Sequence, residues 1–167
     1  TDVLSMTSTA VRDGDSYVLN GTKTYITNGC EGFCFLVYAK VDDRLTAFVV
    51  DRDCPGFTTS HHIDKLGMRG STMSELVFDD CRVPAANIVG EENNGVAVVM
   101  SGLDLERIFY APAAVGMADR CLELSLEHAS TRKQFDQPIM NFQVIEFKLA
   151  DIWVKIETAK AYVYKAL

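Results

Sequence analysis

The residue pattern changes at Gly90, and that change limits the chain to a β part followed by an α part. Before Gly90, short β-branched and aromatic runs alternate with turn residues. Tyr17 to Leu19 and Thr22 to Thr27 flank Asn20-Gly21, a pair that predicts a two-residue hairpin. Phe33 to Lys40, Leu45 to Asp51 and Glu75 to Phe78 predict further strands. Asp42-Asp43-Arg44, Cys54-Pro55-Gly56 and Leu66 to Gly70 supply turn chemistry between them, and Pro84 is expected to close the last strand. The reading is an antiparallel sheet unit, a small barrel or sandwich, over residues 1–90.

After Gly90 the pattern is helical. Asn93 or Asn94 can cap a helix from Gly95 to Thr131, with Pro112 inside it and a bend expected one turn beyond Glu106. A second, antiparallel helix is expected to start at Pro138. Its apolar residues run from Ile139 through Phe142, Ile145, Leu149, Ile152, Ile156 and Ala159 to Val163, spacings of three and four that predict one buried stripe. The fold class is therefore α+β.

Composition narrows the function. The 167 residues are 48% hydrophobic, enough for a core, and carry a formal net charge of −7. That charge argues against nucleic acid, because phosphate binding needs clustered Lys and Arg. No apolar run reaches the roughly 18–20 residues of a membrane span. The start, Thr1-Asp2-Val3-Leu4-Ser5, lacks Met and any signal pattern and reads as an internal start, so a piece of a longer protein is expected. Five cysteines without a CxxC suit free thiols in a reducing compartment. Cys30 and Cys34 have no second pair to complete a zinc site, and His61-His62 would point to opposite faces of a strand, so no metal is expected.

Chemistry is concentrated in Ser101-Gly-Leu-Asp-Leu-Glu-Arg-Ile-Phe109, where Glu106-Arg107 interrupts an apolar helical pattern. A carboxylate there is costly to bury unless it is paired or used. Either Glu106 forms an ion pair with Arg107 at a helix surface, or it is a working carboxylate. Two other segments bear on the choice: Lys23 to Gly29, and Thr131 to Phe135 followed by Pro138-Ile139 and Phe142-Gln143.

Taken in order, several segments carry a resemblance. They are Asp2 to Met6, Tyr17 to Lys23, Tyr25 to Gly29, Pro55 to Ser60, Asp64-Lys-Leu-Gly-Met-Arg-Gly-Ser71, Val83 to Asn87, and Met100 to Arg107. The chain resembles the acyl-CoA dehydrogenases over essentially its whole length, most closely their isovaleryl-CoA branch. The resemblance implies a middle β-domain over 1–90 and, over 91–167, the first two helices of a C-terminal four-helix bundle. It also implies FAD-dependent α,β-dehydrogenation of a short branched acyl-CoA thioester, with electron-transfer flavoprotein reoxidising the flavin. A homo-oligomer built as a dimer of dimers is implied too, in the mitochondrial matrix of a eukaryote or the cytoplasm of a bacterium.

Residue roles follow from matched positions. Glu106, in its Leu-x-x-Glu-Arg setting, is implied as the base that removes the α-proton, more basic when an apolar ligand covers it. Asp104, Leu105 and Arg107 match the stretch lining the acyl-CoA cleft. Tyr25, Ile26 and Thr27 match the stretch against the flavin ring, where the family more often has Trp in place of Tyr25. Thr1 falls where a Ser touches flavin phosphate and substrate. Arg132 resembles the arginine that reaches the flavin pyrophosphate of a neighbouring subunit, with Phe135 and Gln143 as companions.

Three departures bear on specificity. Asp136 replaces a usual Gly, Ala97 stands where the isovaleryl branch has a substrate-contacting Tyr, and the loop Val41 to Leu45 is shorter. Long-chain or other branched substrates, an oxidase on the same scaffold, and an inactive fragment are the alternatives. The chain alone is expected to fold its β part and hold FAD weakly.

Overall fold

The computed structural model describes residues 2–167, so the role implied for Thr1 lies outside the described residues. The chain forms two compact units that divide between Met100 and Ser101.

The first unit is built on seven strands: β1 (Thr9–Asp13), β2 (Ser16–Thr27), β3 (Cys34–Val41), β4 (Arg44–Asp51), β5 (Phe57–Thr59), β6 (Met73–Pro84) and β7 (Ile88–Val89). Their order across the sheet is β5-β6-β2-β1-β3-β4-β7. The sheet is mixed rather than purely antiparallel, since β1 meets β3 in parallel at Thr9 and Lys40. It does not close into a barrel. It bends onto itself instead: Phe35 of β3 packs on Phe57 of β5 with ring centroids 5.1 Å apart, although three strands separate them in the sheet. Phe57 continues to Phe78 at 5.3 Å, and Tyr17 meets Phe48 at 5.2 Å. This sandwich-like core also buries Leu19, Val37, Val50 and Val83. A buried side chain of this size contributes about 1.5–3 kcal/mol.

Asn20-Gly21 is not a hairpin. It lies within β2, at a bulge where pairing with β6 shifts register between Leu19 and Gly21. The Asn20 side chain is used there, accepting from the Asp80 amide at 2.9 Å and donating to the Asp80 carboxylate at 3.0 Å. Gly21 has φ +136, and a Cβ on it would stand 2.7 Å from Ser8 Oγ and 2.9 Å from Ser8 Cα. Asn and Gly satisfy a bulge for the same reason that they satisfy a turn, namely tolerance of unusual backbone angles. The true hairpin turn is Gly14-Asp15, between the paired Asp13 and Ser16. Asp42-Asp43 forms the β3–β4 turn as expected, both residues at positive φ.

Pro84 ends β6 but does not end the sheet, because β7 adds to β4 at Ala47 and Phe48. The segment from Ala85 to Gly95 makes further contacts along that edge, at Leu45, Thr46 and Val49. Asn87 Nδ2 donates to the Val49 carbonyl at 2.9 Å, and the Asn93 amide donates to Thr46 Oγ1 at 2.8 Å. Gly95 lies so close to Leu45 that a Cβ would sit 2.9 Å from its carbonyl.

The helix α1 (Gly95–Thr131) has the expected bounds and runs unbroken through Pro112. Asn93 does not cap it: Asn93 sits at φ +64 with its side-chain oxygen buried and unpartnered. A small hairpin follows, β8 (Lys133–Gln134) with β9 (Gln137–Pro138), turning at Phe135 and Asp136. Pro138 therefore ends a strand and does not start a helix. After one 3-10 turn at Ile139–Asn141, α2 covers Gln143–Ala166. In the second unit α2 returns along α1, and Lys160 bridges to Asp119 at 2.8 Å. Only Leu122, Ala129 and Ile156 are buried in this unit. The expected stripe is only partly covered: Ile156 is buried and Ile139, Phe142, Ile145, Leu149 and Val163 are partly buried, while Ile152 and Ala159 are exposed. One partner helix shields only one side of another.

Candidate functional site

On α1, residues Leu103, Glu106, Arg107, Tyr110 and Ala111 recur at spacings of three and four and so share one face. They line an open groove of about 500 Å³. Glu106 is exposed on this face and has no hydrogen-bond or ion-pair partner among the described residues. The Glu106–Arg107 ion pair raised by the sequence does not form. Successive helix residues do not face each other. Arg107 instead turns to Asp104, Nη1 to Oδ1 at 3.6 Å. Of the residues matched to the acyl-CoA cleft, Glu106 and Arg107 line the groove, and Asp104 and Leu105 fall off its face. Leu103, Tyr110 and Ala111 were not singled out from sequence, although the helical period extended from Glu106 finds all three.

In the first unit, the end of β2 breaks register with β6 between Lys23 and Ile26. The break places Tyr25 at φ +59 with its ring 69% exposed. Ile26 and Thr27 rejoin the ladder opposite Ser74 and Met73. Beside them the Thr72 hydroxyl is buried and has no partner, while its carbonyl accepts from the Asn28 amide at 2.9 Å. Ile26 and Thr27 also line a cleft of about 450 Å³ with Lys23, Leu36, Tyr38 and Leu76. Lys23 makes no salt bridge among the described residues; its Nζ lies 3.5 Å from Met6 Sδ. Burial holds its ammonium below the usual lysine range and pushes the Tyr38 phenol up. Sequence reading passed over Tyr38, which like Lys40 lies half-buried on the more open face of an alternating strand.

Arg132, Phe135 and Gln143 all lie in the α1–α2 connection or at its edge. Arg132 follows α1 and is exposed, with no salt bridge among the described residues. Phe135, 86% exposed at φ +51, stands edge-on to Phe142 with centroids 6.2 Å apart. Gln143 is the first residue of α2.

Two family models cover nearly the whole chain: the acyl-CoA dehydrogenase middle domain matches residues 1–81, and the acyl-CoA dehydrogenase C-terminal domain matches residues 93–167. The chain belongs to the acyl-CoA dehydrogenase family. The mitochondrial isovaleryl-CoA dehydrogenase of Pongo abelii is 45% identical over 98% of this chain and 40% of its own length. A prolyl acyl carrier protein oxidase of known structure superposes with a TM-score of 0.92 at 42% identity, over 99% of this chain and 45% of that one. An acyl-CoA dehydrogenase from Bacillus anthracis, solved with FAD, gives a TM-score of 0.90 at 37% identity, over 98% of this chain and 28% of that one. The chain thus spans about two-fifths of the length of the curated relative. No helix among the described residues is long and apolar enough to cross a membrane.

Proposed function

We propose that this chain supplies the middle β-domain (residues 1–90) and the first two bundle helices (residues 91–167) of an FAD-dependent acyl-CoA dehydrogenase. Its substrate is a short branched acyl-CoA thioester of the isovaleryl type. The observation that carries this reading is the unpaired Glu106 carboxylate on the groove face of α1, with the neighbouring cation drawn off to Asp104.

The residues present fit FAD. Tyr25 offers an exposed aromatic face, Thr27 and the Thr72 hydroxyl offer polar atoms near it, and Arg132 offers a guanidinium with no counterion among the described residues. When bound, FAD supplies the acceptor for the hydride that leaves the substrate β-carbon.

The chain's own groups handle the proton. A Glu106 carboxylate oxygen accepts it from the α-carbon. The carboxylate that Arg107 approaches is that of Asp104, at 3.6 Å, and not that of Glu106. Leu103, Tyr110 and Ala111 line the groove beside the carboxylate and offer an acyl chain apolar surface to pack on. Arg132, Phe135 and Gln143 serve the flavin of a neighbouring subunit in a dimer of dimers. Electron-transfer flavoprotein takes the electrons. The enzyme works in the mitochondrial matrix of a eukaryote, as the name of the Pongo abelii relative supports, or in a bacterial cytoplasm.

Likeness to a carrier-protein oxidase favours a second reading, in which oxygen reoxidises the flavin. Hydrogen peroxide release during turnover distinguishes the two. The test of the main reading is Glu106→Gln in the whole enzyme. Gln is nearly isosteric but cannot take the proton, so FAD content and acyl-CoA binding are expected to persist while kcat falls by roughly 10²–10⁴. Turnover near that of the parent enzyme would place the base elsewhere.

A further inference from the structure

Far along the chain from the residues matched to cofactor and substrate, two cysteines are held face to face. Cys81, on β6, is fully buried, and its Sγ lies 3.4 Å from Cys54 Sγ in the turn before β5. Cys54 is half-exposed. The turn has little freedom to carry Cys54 away. The Cys54 amide donates to the Asp51 carbonyl at 3.1 Å, and the Phe57 amide donates to the Cys54 carbonyl at 3.0 Å. The Asp79 amide donates to the Gly56 carbonyl at 2.9 Å and the Arg82 amide to the Pro55 carbonyl at 3.3 Å, tying the turn to β6 on both sides of Cys81.

We propose that Cys54 and Cys81 form a redox-active dithiol, a modification site that small-molecule disulfides convert to an intramolecular disulfide. A disulfide needs its sulfurs about 2.05 Å apart, so closure asks the two side chains to move together by about 1.4 Å. Cys54 is the more exposed partner, and its thiol donates to the Arg82 carbonyl of β6 at 2.9 Å, a bond that closure exchanges for the disulfide.

Exposure sets the order of events. The Cys54 thiolate attacks one sulfur of glutathione disulfide, forming a mixed disulfide and expelling one glutathione, which takes up the proton that Cys54 lost. Cys81 then attacks Cys54 Sγ; the bond to the second glutathione breaks, and that glutathione leaves as a thiol with the proton from Cys81. Two protein thiols are oxidised and one small disulfide is reduced to two thiols. Burial, aided by the hydrogen bond to Cys54, pushes the Cys81 thiol up to about 12. Cys81 is therefore a poor first nucleophile, and its value lies in its position beside Cys54.

The product joins residues 27 apart in sequence and staples the turn before β5 to β6. Cys34 and Cys121 are exposed and make no sulfur–sulfur contact among the described residues, so they serve as internal controls.

The experiment treats the purified protein with glutathione disulfide, blocks remaining thiols by alkylation and maps the peptides. The expected result is a Cys54–Cys81 disulfide that dithiothreitol reverses, with glutathione retained on Cys34 and Cys121. Oxidation should also raise Tm by on the order of 5–10 °C relative to the reduced protein, through the shortened unfolded loop. In Cys81→Ser the mixed disulfide should persist at Cys54, and in Cys54→Ser residue Cys81 should stay unmodified. Glutathione remaining on Cys54 in the unsubstituted protein, or both thiols alkylated while Cys34 and Cys121 oxidise, would overturn the proposal.

Discussion

The Tyr17 phenol donates a 2.7 Å hydrogen bond to the Glu92 carboxylate, which also lies 3.5 Å from the Arg12 guanidinium. This contact ties the start of β2 to the segment that leads into α1. Burial, and then the Glu92 hydrogen bond, raise the Tyr17 phenol above its usual range. A raised folded-state value means that the stabilisation is complete below the unfolded value, near 10, and is lost as pH climbs through the folded one. Tyr17→Phe is therefore expected to cost about 1–2 kcal/mol at neutral pH. The gap between variant and parent should shrink above about pH 10, where only the parent is forced to ionise a buried phenol. Urea melts at pH 7 and pH 10.5 measure it; a gap independent of pH would show that the hydrogen bond contributes little.

Gly21 tests the bulge in β2. Ala at this position meets both a strained φ and the Ser8 backbone, so Gly21→Ala should destabilise by roughly 2–4 kcal/mol. A companion change, Ser8→Gly, removes only the Oγ and Cβ contacts and should restore part of the loss. Thermal melts of the single and double variants give the answer.

Asp136 sits at φ +65 in the tight β8–β9 turn, next to Phe135 at φ +51. Asp tolerates that region less well than Gly. Asp136→Gly is expected to stabilise by about 0.5–1 kcal/mol. A loss of stability would mean that the Asp136 side chain contributes something beyond the turn.

Arg132→Ala should weaken FAD retention in the whole enzyme by roughly 10- to 100-fold, the worth of one charge-assisted phosphate contact of about 1.5–3 kcal/mol. Equilibrium dialysis against FAD reads this directly. Subunit pairing should weaken with it, visible by sedimentation. Full occupancy after dialysis would remove Arg132 from the cofactor's surroundings.

These residues also show where sequence was legible. The bounds of α1, from Gly95 to Thr131, follow from helical pattern alone and match the structure, and β3 and β4 differ from expectation by one residue at most ends. Local pattern failed where one chemistry serves two geometries. Asn20-Gly21 suits a turn or a bulge, and only the distant partners Ser8 and Asp80 decide between them. Pro138 suits a helix start or a strand end, and the Phe135-Asp136 turn decides. In the candidate site, Glu106 stands out as a charge in an apolar run, but the Asp104–Arg107 pairing that leaves it free depends on side-chain directions around the helix. The cleft holding Lys23 and Tyr38 joins strands remote in sequence, and no local signal announces it.

The cover over β4 has a consequence for how such chains meet one another. A strand of eight residues at the rim of a sheet, rich in Leu, Phe and Val, is a ready template for another chain's backbone. Here β7, the Asn87 side chain and the close pass of Gly95 fill the middle of that rim from within. Backbone-mediated stacking of one β-unit on another is thereby blocked over the middle of β4, from Leu45 to Val49. Loosening the Ala85–Gly95 segment, for instance by a bulky residue at position 95, would turn the same strand into a nucleus for fibrous aggregation.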